Sequence, residues 1–534
     1  MTDLIIRNAA ILDGSGAPRA RGDVAVTDGK ITAVGTADGP ARRTLDADGL
    51  CLAPGFIDMH SHSDHFLLVN PTSESKVTQG VTLEVCGNCG SSSAPLVAPA
   101  EREAAFGFLA KNGVSAQWSS VGELMSTLDD AGMAVNFMTF VGHGTVRASV
   151  VGYDARPASE AEMTEMRALV ARSMDEGAVG LASGLIYAPG CFGGTAEVTE
   201  LCKPVGAVGG LYSTHMRNEG DTLLEAVEES IAISEQSGAR LQISHHKSCG
   251  PANWGKVRDS LRMIEDARGR GLDVAADQYP YIATCTSLDV NLPQWAHDGG
   301  RERMAARLSD PGLLPRMREE TVAHVERGHT DPMQGWRNVV VSNVDTVANK
   351  WTEGLSVAAI AEQMGLPPFE AMVRLLIDER CEVGMIHFAM CEEDVETVMA
   401  SPNVMFGSDA TSRGLTGPLA HGKPHPRTFG TMPRVLAHYV RERGVIALEE
   451  AVRKMTSLPA SRLRLADRGR IAPGFAADLV LFDADSVRDA ATFADPFRLA
   501  EGIPYVFTNG VAVVDDGRVT GNLPGRCLRP GRAA

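Results

Sequence analysis

The run Pro54-Gly55-Phe56-Ile57-Asp58-Met59-His60-Ser61-His62 places two imidazoles two residues apart behind a short apolar stretch. On a β-strand, positions i and i+2 share a face, so His60 and His62 project together with Asp58 behind them. Two imidazoles converging at a strand end supply half of a divalent-metal site. The same pair also serves as hydrogen-bonded polar residues at a strand end, and the motif by itself leaves both readings open. Cys89, in Gly87-Asn88-Cys89-Gly90, follows the next apolar run. Its flanking glycines imply a tight turn that brings the sulfur toward a metal, for which a thiolate is an excellent zinc ligand. Without partners it is an inert loop cysteine.

Three further residues follow apolar runs in the same way. His215 lies in Thr214-His215-Met216-Arg217-Asn218-Glu219, His245 in Ile243-Ser244-His245-His246-Lys247, and Asp409 in Gly407-Ser408-Asp409-Ala410. A strand-end histidine is often only a satisfied rim residue, and an aspartate before a helix often only caps it. Placed beside an activated water, a carboxylate takes the water's proton and passes it to a leaving amine. Successive strand ends are where a barrel assembles its chemistry.

The elements that must position these groups are legible as alternating strands and helices. Gly55–His62, Val81–Cys86, Ala134–Val141, Ala178–Ala182, Gly210–His215, Arg240–His245, Leu272–Tyr279 and Asn403–Asp409 read as buried strands. Helical patterns such as Glu160–Asp175, Thr222–Ser237 and Arg258–Arg268 separate most of them. Eight such strands predict an α/β fold, a closed (β/α)₈ barrel over about residues 55–465, with an insertion near 283–354 that breaks the rhythm. Both ends are β-rich. Segments 1–54 and 466–534, the latter with an Asn509-Gly510 hairpin signal, are expected to form one small β-sandwich domain.

At 534 residues the chain exceeds one core of average size, and 44% hydrophobic with 22% charged residues is ordinary for a globular enzyme. A net charge of −17 argues against nucleic acid and anionic membranes as partners. The N-terminus has no basic region with a following apolar stretch, and no apolar run reaches the length of a membrane span. Ten scattered cysteines suggest reduced thiols or a metal ligand, and a cytoplasmic protein is expected.

With the late Gly-Ser-Asp, these residues resemble the amidohydrolase superfamily. More closely, the chain resembles the N-acyl-D-amino-acid deacylase (D-aminoacylase) family. The carrying motifs are the cysteine turn, the two histidine runs, Val141-Gly142-His143-Gly144, Asp277–Tyr281 (DQYPY) and His425-Pro426-Arg427, in order along nearly the whole chain. The resemblance implies a barrel with a small β-sandwich. It also implies tight Zn²⁺ binding by Cys89, His215 and His245, the cysteine replacing the carboxylated lysine of many relatives. His60 and His62, with Asp409, would form a second, weaker site, and Asp409 would be the general acid/base. Lys247, Tyr279 and Arg427 would hold the α-carboxylate of a small N-acyl amino acid, with Tyr281 as an alternative to Tyr279. The Gly-rich segment Thr411–Lys423 is longer than the family's usual one and should overhang the site.

The implied reaction is hydrolysis of an N-acyl-D-amino acid to a carboxylate and a free D-amino acid. A cyclic-amide hydrolase of the dihydroorotase or hydantoinase kind is the first rival, although such enzymes usually bridge their metals with a lysine carbamate where this chain has Cys89. Deamination of a ring is a weaker one. A non-catalytic metal-binding scaffold on the same barrel would normally have lost ligands. Neither oligomeric state nor side-chain specificity follows from the sequence.

Overall fold

The computed structural model describes residues 1–531; the last three positions of the expected 466–534 segment lie outside the described residues. Eight parallel strands run in chain order: β1 Phe56–Asp58, β2 Val81–Cys86, β3 Asn136–Thr139, β4 Gly180–Gly184, β5 Leu211–His215, β6 Arg240–Ile243, β7 Val274–Gln278 and β8 Val404–Phe406. A strand covered on both faces must bury every side chain, so these segments are rich in apolar residues, and the polar ones among them, such as Glu84, Asn136 and Asp277, are buried too. All residues of β2, β4, β5 and β7 are buried. The ring closes through main-chain bonds. Val141–Gly142, directly after β3, pairs with β4, and Met59 N donates to Phe406 O at 3.3 Å to join β1 to β8.

The helices that cover the barrel start and stop where local chemistry requires. Glu160–Glu176 opens on a capping box between Ser159 and Glu162 and ends at Gly177 in the left-handed region. Leu223–Ser237 and Val257–Gly269 follow, the latter burying Val257, Ser260, Ile264 and Ala267 at helical spacing. The helix Ser457–Arg462 lies across the end where the strands begin: Arg462 Nη2 donates to Leu241 O at 2.7 Å. Ala460 and Leu463 pack there with Leu83, Met138, Leu211 and Met405. That end is plugged, so the opposite end is the one open to a substrate.

The two termini share one connected nine-stranded sheet. Its central strand, Thr2–Ile11, pairs first with Ala41–Asp46 and then with Cys51–Pro54, with an irregularity between Ile6 and Ala9 on its other edge. A strand that changes partner at a bulge carries one layer into the next, here around Leu4, Ile6, Val24, Val26, Leu479 and Phe507. The Asn509-Gly510 turn has φ of 50° and 81°, as a two-residue hairpin requires.

Between β7 and β8 stands an inserted unit with its own core. Thr284–Ser287, Val339–Asn343 and Gly384–His387 form an antiparallel three-stranded sheet. The unit therefore continues past residue 354. The helices Val357–Met364 and Pro368–Asp378 have the apolar spacing of barrel helices, but Ile360, Phe369 and Leu376 pack in the same cluster as Leu288, Trp336 and Met385. Among the described residues no helix is long and apolar enough to cross a membrane.

Candidate active site

The chemistry-bearing residues stand at the open end, on backbone held in unusual conformations. Cys89, His245 and Asp409 have φ of 52°, 33° and 49°, values that L-residues rarely adopt. Such strain persists where surrounding structure enforces it, and it clusters at functional sites. The cysteine turn shows how it is enforced. A Cβ on Gly87 would lie 2.3 Å from Phe140 O, and one on Gly90 would lie 2.6 Å from Gly184 N. Only glycine permits this approach, and it drives the Cys89 thiol over the strand ends. Asp409 is fixed by its own N–H, which donates to His60 O at 2.7 Å.

Cys89 Sγ is the centre of the arrangement. It lies 3.2 Å from His60 Nε2 and 3.3 Å from His245 Nε2. His62 Nε2 is 3.0 Å from Asp409 Oδ1, and His60 Nε2 is 3.6 Å from the same oxygen. Two donor groups result, His60–His62–Cys89–Asp409 and Cys89–His215–His245, each with its ligand atoms within 4.8 Å of one another. Both ring nitrogens of buried His215 lack a hydrogen-bond partner. Burial pushes the Cys89 thiol up, but the neighbouring His60 and His245 imidazoles outweigh it and hold the thiol well below its usual range. Burial also opposes ionisation of Asp409, and Arg427, His245, His62 and His60 reverse that effect. A thiolate and two imidazoles, one of them with unpartnered ring nitrogens, fit a zinc ion.

A second set faces the first. Lys247 Nζ lies 2.6 Å from Glu219 Oε1 and 2.7 Å from His245 Nδ1. Arg427, first residue of the helix Arg427–Arg434, places Nη1 2.8 Å from Asp409 Oδ2 and stacks its guanidinium 4.6 Å from the Tyr279 ring centre. The buried Tyr279 hydroxyl and Arg427 Nη1 make no hydrogen bond. Tyr279 lines the cavity. Tyr281 instead packs on His425 and Phe493 beneath Arg434. The cavity around both sets measures about 860 Å³ and extends under the inserted unit and the Thr411–Lys423 segment.

A family model described as the amidohydrolase family matches residues 43–514. The chain belongs to that family. Its relatives include a D-aminoacylase of Alcaligenes xylosoxydans xylosoxydans, 37% identical over 98% of this chain and 97% of its own length. An N-acyl-D-glutamate deacylase of the same organism is 38% identical over 99% and 96%. The solved structure of an N-acyl-D-glutamate deacylase from Bordetella bronchiseptica, complexed with zinc and a phosphonate inhibitor, superposes with a TM-score of 0.81 at 33% identity, covering 99% of each chain.

This amidohydrolase also uses residues that the motifs did not single out. Asp277 Oδ1 lies 3.0 Å from His60 Nδ1 and accepts from His245 N at 2.8 Å. By accepting from His60 Nδ1, Asp277 orients the ring so that Nε2 faces Cys89. Glu219, four residues after His215, meets His245 Nδ1 at 3.0 Å as well as Lys247. Both belong to motifs already quoted; Glu219 carried a local signal in its spacing from His215, whereas Asp277 reaches His60 and His245 only through the fold.

Behind β1 lies a fully buried cation. Lys76 Nζ donates to Asp58 Oδ2 at 2.8 Å, Ser408 Oγ at 2.6 Å and Ala410 O at 2.8 Å, with Glu84 Oε2 at 3.4 Å. Burial alone would push this ammonium down, and Asp58 and Glu84 raise it instead. Lys76 thus ties β1 and β2 to the strained turn that carries Asp409. Replacing it strands two carboxylates in the interior. Lys76→Met is expected to lower stability by about 3–5 kcal/mol, read from the denaturant midpoint by circular dichroism. A loss below about 1 kcal/mol would show that the network relaxes without its cation.

Proposed function

We propose that this chain is a zinc-dependent deacylase that hydrolyses the amide bond of N-acyl-D-amino acids, releasing a carboxylic acid and a free D-amino acid. The observation that carries the reading is the convergence of both donor groups on Cys89, with Asp409 between them and the Lys247–Tyr279–Arg427 set. Cys89, His215 and His245 are the ligands we assign to a tight zinc ion, and His60, His62 and Asp409 to a weaker second site. Zinc held there supplies a Lewis acid that activates water and polarises an amide carbonyl.

The remaining work falls to the side chains. Asp409, ionised by its cationic neighbours, takes the proton of water as its oxygen bonds to the carbonyl carbon. It then delivers that proton to the amide nitrogen as the C–N bond breaks, so the amine leaves neutral. Arg427 offers a planar pair of donors to the α-carboxylate, and the unpartnered Tyr279 hydroxyl and the Lys247 ammonium complete its capture. Fixing the carboxylate and the carbonyl together sets which face of the α-carbon meets the metal site. The D-configuration is taken from the relatives named above. Ten free cysteines favour a reducing compartment, and we place the protein in the cytoplasm.

The test is hydrolysis of paired N-acetyl-D- and N-acetyl-L-methionine by zinc-loaded protein, with the freed amino acid identified by chiral chromatography. Release of D-methionine at about 10²-fold or more over the L-isomer is expected. Preferential release of L-methionine, or ring opening of a hydantoin with no release from either amide, would overturn the reading.

A further inference from the structure

The cations that line the cavity are paired, with one exception. Arg217 lies 2.9 Å from Glu229, Lys247 2.6 Å from Glu219 and Arg427 2.8 Å from Asp409, while Arg327 pairs with Asp221. Arg413 also lines the cavity, and among the described residues it has no carboxylate in ion-pair contact. The residue is half-buried, and burial pushes its pKa down, opposed only by the nearby Cys285 thiol. In a protein of net charge −17, a half-buried cation without a counter-ion is a position at which an acid would be stabilised.

The side chain is also held in place. The Arg413 N–H donates to Ser75 Oγ at 2.9 Å, and its carbonyl accepts from Ser75 N at 3.0 Å. Nη1 donates to Leu419 O at 3.2 Å and His421 O at 3.0 Å, so one edge of the guanidinium is spent on the Thr411–Lys423 segment. Nη2 and Nε keep their donors for another acceptor. Cys285 lines the same cavity as Arg413 and Arg427, and its carbonyl accepts from Arg427 Nη2 at 3.1 Å, so Arg413 opens onto the cavity that holds the α-carboxylate set.

We propose that Arg413 is a specificity-determining residue that receives a second carboxylate, carried on the substrate's side chain, so that the preferred substrates are N-acyl derivatives of acidic D-amino acids. This rests on the deacylase reading above and narrows it. Pre-organised by Ser75 and the loop carbonyls, Arg413 binds the acid without first ordering itself.

The experiment compares N-acetyl-D-glutamate with its neutral isostere N-acetyl-D-glutamine, on wild type, Arg413→Met and Arg413→Lys. Wild type is expected to favour glutamate in kcat/KM by about 30-fold or more, chiefly through KM. Arg413→Met should bring the ratio to about one, and Arg413→Lys should retain part of it. Both substrates are read on one preparation, so a loss of folded protein cancels in the ratio. A wild-type ratio near one overturns the inference, as does a variant that slows both substrates equally, since Arg413 would then only pin the loop. N-succinyl-D-methionine supplies the second acid on the acyl side. If Arg413→Met removes a preference for it over N-acetyl-D-methionine and leaves the glutamate ratio intact, the side-chain assignment fails. Absence of turnover with all these amides would instead defeat the deacylase reading itself.

Discussion

Asp409→Asn should lower kcat by about 10²–10⁴-fold, the range typical of a lost general acid/base, while the tightly bound zinc and KM change little. Asparagine keeps the shape of the side chain and an oxygen toward His62 Nε2, now 3.0 Å from Asp409 Oδ1. It removes the one feature the reaction needs, a carboxylate that gains and then loses a proton. The turn itself should persist, because it is fixed by Asp409 N to His60 O and by the Lys76–Ser408–Asp58 bonds, none of which uses the carboxylate. Cys89, His215 and His245 do not depend on it either. The check is steady-state kinetics on N-acetyl-D-methionine beside metal analysis of the same preparation. A fall of less than about 10-fold with zinc intact would mean that another group carries the proton.

Much of the fold was readable because both-face burial leaves a simple trace. Each of the eight barrel strands overlaps a segment read as a buried strand, and the Asn509-Gly510 hairpin announces itself by its turn residues. Strand limits were less legible where the site begins. The runs extend through His62, His245 and Asp409, yet the regular ladder stops at Asp58, Ile243 and Phe406. The backbone there leaves strand geometry to aim side chains, and apolar periodicity carries no mark of that departure.

Other features depend on partners remote in the chain. Lys76 meets Ser408 and Ala410 across more than three hundred residues, so an isolated lysine after Ser73-Glu74-Ser75 gives no local sign of burial. Arg413 sits in a segment recognisable only as unusually long, and its lack of an acid can be seen only once the cavity is assembled. The helices Val357–Met364 and Pro368–Asp378 carry ordinary amphipathic patterns that fit the barrel or the inserted unit equally well. Their true contacts, with Trp336 and Met385, are tertiary.

Cys89→Ala should abolish zinc retention and reduce kcat/KM by about 10³-fold or more, the equivalent of several kcal/mol of lost Lewis-acid stabilisation. Cys89 is the one residue common to both donor groups, within 3.3 Å of His60 and His245. Its removal leaves two imidazoles where a tight site needs three ligands, and it deletes the negative charge that balances the histidines. The fold should tolerate the change, because alanine fills part of the same turn and Gly87 and Gly90 still set its path. The decisive measurement is a zinc titration of chelator-stripped protein, following release of D-methionine from N-acetyl-D-methionine by wild type and by Cys89→Ala. Wild type is expected to be inactive when stripped and to regain turnover as zinc is added up to stoichiometry, while Cys89→Ala stays near background throughout. Full turnover by stripped wild type, or equal recovery by the variant, would contradict a Cys89-centred zinc site as the seat of the reaction.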